Sequence, residues 1–233
     1  AFTLLELLVV IAIIAILTGL LLPSLSRAKA KGKAALCQSN LRQQGLALFS
    51  YVEDEGKYPV AGAGWRVTGT TTFLWPHLLL PHLGSNVMIF YCPADKPLPP
   101  NYLVRQRDDG NPWMSYGYNA EGGIAGFPSP DPMLGLAGDW YSPIPASAVK
   151  VPVDMIAIGD SQADGMGDPW LTPNGVGAPD SWPGKKHNLG ANVLFVDAHV
   201  TRTPMRKLVQ DTDENRARWN NDHEPHREFP FSI

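Results

Sequence analysis

The sequence predicts an α+β chain: one long N-terminal helix, then a loop-rich body with a few short strands. Three observations carry this expectation. Leu7 to Ser26 contains no charged side chain and passes into an amphipathic stretch. The chain has 22 glycines and 22 prolines among 233 residues, about 19% against a usual ~12%. They crowd segments 93–115, 121–147 and 164–185. Only a few short segments are rich in β-branched and aromatic residues.

The apolar run comes first. As helix at 1.5 Å per residue it spans roughly 30 Å, the thickness of a bilayer's hydrocarbon core. A cleaved signal peptide fits less well, because its apolar region is shorter and ends in a small-residue site. Here Arg27, Lys29, Lys31 and Lys33 follow instead. By the positive-inside tendency they would hold the body in the cytoplasm, an orientation that a removed basic leader would reverse. Glu6 lies just before the run, where a carboxylate at the edge of a bilayer is costly and calls for a positive partner. Beyond the basic residues, Ala34, Cys37, Leu41, Leu48 and Val52 recur at helical spacing. Gly56 and Pro59 should end the helix. Residues 1–56 therefore form an N-terminal helix, apolar over 2–26 and amphipathic over 27–54, and 57–233 form a globular head.

In the head, Val87–Cys92, Met155–Gly159 and Asn192–Asp197 have strand composition. His199–Thr203 should pair with the last of these through a tight turn at Asp197-Ala198. Hydrophobic residues make up 44% and charged residues 18%, which excludes a disordered chain. A net charge of −3 gives no reason to expect nucleic acid as a partner. The two cysteines are too few for a disulfide-dense scaffold or a Cys-rich zinc site.

Ala1-Phe-Thr-Leu-Leu-Glu6, followed by LLVVIAIIAIL, resembles the processing and assembly segment of type IV pilins and type II secretion pseudopilins. His187, nine residues, then Asp197-Ala198 resembles the processing-associated segment of a pilin-like family abundant in planctomycete-type bacteria, with Ala198 in place of the usual Gly. Cys37–Leu48, Tyr58-Pro59, Cys92–Asp95, Ser115–Asn119 and Trp219–Asp222 resemble the same group. The resemblance implies a pilin-like fold, with a long N-terminal helix packed on a small antiparallel β-sheet and a loop-rich C-terminal half. It also implies that a prepilin peptidase cuts between Ala1 and Phe2 and that Phe2 is N-methylated. Glu6 would be the assembly carboxylate, and Pro23 the proline at which the helix loosens on leaving the membrane. The expected function is a structural subunit of a type IV pilus-like filament, with itself and the assembly machinery as partners. It would reside in the inner membrane as precursor and then in a surface or periplasmic filament. The alternatives are a type II secretion pseudopilin and a single-pass anchored binding module that does not polymerise.

Several residues suggest local chemistry. Cys37 and Cys92 would pair in an extracytoplasmic compartment. The bridge would close a loop of about 55 residues and contribute roughly 3–4 kcal/mol; the alternative is two buried thiols. Asp160, Asp164 and Asp168 partly fit a calcium loop, but Gln162 and Leu171 occupy ligand positions, and an acidic Gly-rich turn is the other reading. His187, Asp197 and His199 are expected as hydrogen-bonded hairpin residues, with Asp197 half-buried and His187 as its donor. The alternative is convergence near Asp160 on a transition metal. No Gly-x-Ser-x-Gly elbow surrounds Ser161, so no enzyme is expected.

Overall fold

The computed structural model describes residues 3–60, 62–63, 73–95, 114–120, 122, 134–138, 143–161, 170–173, 182–229 and 231. Ala1, Phe2, Asp164 and Asp168 lie outside the described residues, and with them the expected cleavage point and two of the three calcium carboxylates.

Helix α1 runs Leu4–Glu55, 52 residues, about 78 Å at 1.5 Å per residue. A reciprocal cap starts it: the Glu6 N–H donates to the Thr3 hydroxyl, and the Thr3 N–H donates back to the Glu6 carboxylate at 2.8 Å. That pairing satisfies two of the N–H groups a helix start leaves open. Gly56 ends the helix at φ 69°, a left-handed cap that glycine adopts without strain. The helix continues through Pro23, so the expected loosening there is not seen in the secondary structure. Its first half is long and apolar enough to cross a membrane and is buried nowhere in the fold. Its second half buries Cys37, Leu41, Gln44, Gly45, Ala47 and Leu48. Gln44 joins this face because its amide donates to the Ile89 carbonyl at 2.9 Å.

Among the described residues the head is built on an antiparallel sheet in chain order: β3 (Tyr116–Tyr118), β4 (Ile156–Asp160), β5 (Gly190–Phe195) and β6 (Val200–Pro204). A separate short pair, β1 (Gly62–Ala63) and β2 (Phe73–Leu74), precedes α2 (Trp75–Leu79). Helices α3 (Met205–Leu208) and α4 (Asp213–Ala217) follow the sheet. Strand alternation divides the apolar side chains between two faces. Leu194, Ile158, Tyr116 and Tyr118 pack with Cys37, Leu41, Leu48 and Trp75 on the α1 side. Ala191, Val193 and Phe195 pack with Leu208, Trp219 and Phe231 on the other. A register shift between Ile156 and Ile158 sends Ile156 to that second core.

Val87–Phe90 is a 3-10 turn and not the expected strand. The Asn86 side chain accepts from the Met88 N–H, and Tyr91 bonds back to the Met88 carbonyl. This local closure leaves Val87 and Met88 in solvent while Ile89 and Phe90 reach the core. The other strands form close to the expected ranges. The turn at Asp197-Ala198 also forms: Ala198 donates to the Phe195 carbonyl with φ 70°, so this turn does require a left-handed residue.

α1 approaches the hairpin closely at Gly45. A Cβ there would lie 2.7 Å from Leu194 Cδ1 and 3.2 Å from Ala198 Cβ. The missing side chain is what lets the helix lie on the β5–β6 turn.

Candidate functional site

Four side chains that are distant in sequence meet between α1 and the sheet. Cys37 comes from the buried stripe of α1, and Cys92 follows the 3-10 turn. Asp160 is the last residue of β4, and His187 lies in the turn that enters β5. Pleating explains the carboxylate's direction. Asp160 pairs with Tyr116 across β3–β4 and shares the α1-facing side with Ile158.

The sulfur, imidazole and carboxylate atoms all lie within 4.8 Å of one another. Cys37 Sγ donates to Asp160 Oδ1 at 3.0 Å. Cys92 Sγ is 3.3 Å from His187 Nε2. The same Nε2 is 3.5 Å from Asp160 Oδ2, with side-chain exposures of 2% and 0%. Three further donors surround the group. The Tyr116 hydroxyl donates to Cys37 Sγ at 3.2 Å, the Asn192 N–H to Asp160 Oδ2 at 2.7 Å, and the Ala94 backbone to Cys92. Next door, Lys186 Nζ donates to Asp95 at 2.6 Å and to the Ser115 carbonyl at 3.1 Å.

The electrostatics are set by burial and mutual contact. Burial pushes the Cys37 thiol far up. The Cys37 side chain beside it, aided by His187, holds Cys92 down at about 5 against its own burial. Burial and the Cys92 charge raise Asp160 to about 6, opposed by Lys186 and His187. Burial pulls His187 down, but the Cys92 hydrogen bond and the Asp160 charge outweigh it and leave it raised. All four groups are buried, so their charges are met by one another and by the surrounding donors.

This arrangement regroups the residues singled out in the sequence. Cys37 and Cys92, the expected disulfide partners, are brought together, buried and with their sulfurs unbonded. Asp160, expected in a calcium loop with Asp164 and Asp168, is turned inward, and both its oxygens are engaged in the cluster. His187 bonds Cys92 and faces Asp160 in place of Asp197. Asp197 instead pairs with His199 and is exposed, because it belongs to the turn and not to the strand. Tyr116, Asn192 and Lys186 were not anticipated. Their roles depend on strand register, and the only hint was that Tyr116 and Lys186 stand in or beside quoted motifs. Glu6 lies far from this site and caps its own helix.

Comparisons with protein-family models, with curated proteins and with solved structures found no match.

Proposed function

We propose that the chain is a structural subunit of a type IV pilus-like helical filament. It would be held in the inner membrane as a precursor, cut between Ala1 and Phe2 by a prepilin peptidase, and packed into a bundle through α1. The observation that carries this reading is where α1 leaves apolar surface uncovered. The large side chains from Leu4 to Leu25 are all exposed, a helix about 33 Å long that is apolar all round. A bilayer alone would cover that part. But apolar surface continues past the basic run on the side facing away from the head: Leu36, Leu46 at 65% and Phe49 at 59% exposure. A single-pass anchor gives those residues nothing to bury against, whereas a bundle of parallel copies covers the whole length.

Glu6 supplies the register. In the single chain its carboxylate accepts from the Thr3 N–H and hydroxyl, both at 2.8 Å. In the bundle it would instead neutralise the methylated amine of Phe2 on a neighbour. A copy displaced along the axis would leave that carboxylate unmatched among leucines, which is strongly disfavoured.

The test is electron microscopy of material sheared from the source cells, combined with N-terminal mass spectrometry. Thin filaments whose chains begin at methyl-Phe2, lost in Glu6→Leu with the protein retained in the membrane, support the reading. A processed N-terminus without filaments would move it to a secretion pseudopilus. An unprocessed chain confined to the membrane and indifferent to Glu6→Leu would leave only the anchored binding module.

A further inference from the structure

We propose that Cys37, Cys92, Asp160 and His187 form a structural zinc site that fastens the head to α1. The donor set is two thiols, one imidazole and one carboxylate, the types zinc takes at about 2.3, 2.0–2.1 and 2.0–2.2 Å. Around one four-coordinate ion at those bond lengths, ligand atoms stand roughly 3.3–3.8 Å apart. His187 Nε2 stands 3.3 Å from Cys92 Sγ and 3.5 Å from Asp160 Oδ2, and one ligand atom from each of the four residues lies inside 4.8 Å of the others. Four ligands close the coordination shell, and all four are buried, which is the pattern of a structural rather than a catalytic site.

The geometry weighs against the two other uses of these residues. In a Cys–His–Asp relay the thiol and the carboxylate occupy opposite ring nitrogens. Here both face Nε2, so they converge on a point and do not pass a proton through the ring. A Cys37–Cys92 disulfide would leave the buried Asp160 with the Asn192 N–H and the His187 ring on Oδ2 but would take the Cys37 proton from Oδ1, whereas a cation would engage the carboxylate, the imidazole and both sulfurs together.

The charges also fit an ion. Two thiolates and a carboxylate carry three negative charges, zinc two positive, and the imidazole none. The remaining charge is met by the outer donors: the Tyr116 hydroxyl on Cys37, the Ala94 N–H on Cys92 and the Asn192 N–H on Asp160. Such outer contacts orient ligands and tune the metal. Only Cys37 comes from α1, so the ion would link the filament-forming helix to three points of the head. The site stands independently of how the helix is used.

The experiment uses the full chain, solubilised in detergent from zinc-supplemented cells and purified without chelators. Metal analysis should give about one zinc per chain, and alkylation after denaturation without reductant should find both thiols free. Cobalt(II) in place of zinc should give the strong visible bands of a four-coordinate thiolate site. Cys92→Ser, Asp160→Asn and His187→Gln should each lose most of the metal, while His199→Ala, outside the cluster, should keep it. Tyr116→Phe should weaken zinc about 10–100-fold in competition with a chelator. A folded wild-type chain with no zinc would overturn the proposal, in favour of a disulfide where its mass lies two hydrogens below the reduced form. Zinc retained in all three ligand variants would overturn it as well. The cobalt spectrum of the wild type decides the matter even where a variant fails to fold.

Discussion

Replacing Gly45 with valine tests the contact on which the whole arrangement of helix and sheet rests. A Cβ at this position would stand 2.7 Å from Leu194 Cδ1, 3.2 Å from Ala198 Cβ and 3.3 Å from Ala198 Cα. Leu194 is fully buried in β5 and has little room to turn aside. Ala198 is fixed in a left-handed turn. Overpacking of this kind costs about 1–3 kcal/mol, and valine adds two methyls beyond the Cβ, which puts the expectation near the top of that range. A gain in helix propensity of roughly 0.5 kcal/mol opposes it. The net expectation is a loss of about 2–3 kcal/mol. Gly32→Val is the matched control: it lies on the same helix with nothing within 4 Å of its Cβ, so only the propensity gain applies. Urea unfolding of the solubilised chain, followed by fluorescence of the buried Trp75 and Trp219, reads both variants, and their difference isolates packing. Should the two differ by less than about 0.5 kcal/mol, the close approach of α1 to the hairpin would be wrong. In the same variant a displaced helix also carries Cys37 away from Asp160, now 3.0 Å apart.

Ala198→Gly should stabilise the head by about 0.5–1 kcal/mol, since alanine is strained at φ 70° and glycine is not; thermal melting checks it. Lys186→Met should cost about 3–5 kcal/mol, because it leaves Asp95 buried and unpaired where the two side chains are now 8% and 10% exposed; chemical denaturation reads this. His226 sits between Glu228 and Asp222. Its partial burial pulls the pKa down, but the two carboxylates prevail and leave it raised above 6.5 in the folded chain. Its contribution to stability is thus fully present below pH about 6.5 and fades as pH climbs through the raised folded value. His226→Gln should flatten that segment of the melting-temperature profile against pH.

The long helix was legible because two independent periodic signals, the unbroken apolar run and the stripe through Cys37 and Leu48, join without a break. The β5–β6 hairpin was legible because two segments flank a short turn and the first has strand composition. Val87–Cys92 misled, since β-branched composition cannot reveal that the Asn86 side chain captures the Met88 N–H and closes a 3-10 turn. The site was legible only in halves: Cys37 stood with Cys92, and His187 with Asp160 as the alternative to Asp197, but nothing joined the two pairs. What unites them is the pairing of Tyr116 with Asp160 across β3–β4 and the laying of α1 over that face, both long-range facts with no local signature.

The distances along the chain between the cluster's members have a consequence in time. Cys37 meets Asp160 across 123 positions, and Cys92 meets His187 across 95. Synthesis delivers these residues in order, at about 5–20 per second, so Cys37 waits roughly 6–25 s before Asp160 even exists. Through that interval the thiol stands without the carboxylate it later bonds. Closure of the cluster is necessarily a late event, and a chain that has achieved it has already placed β4 and the turn before β5 against the helix.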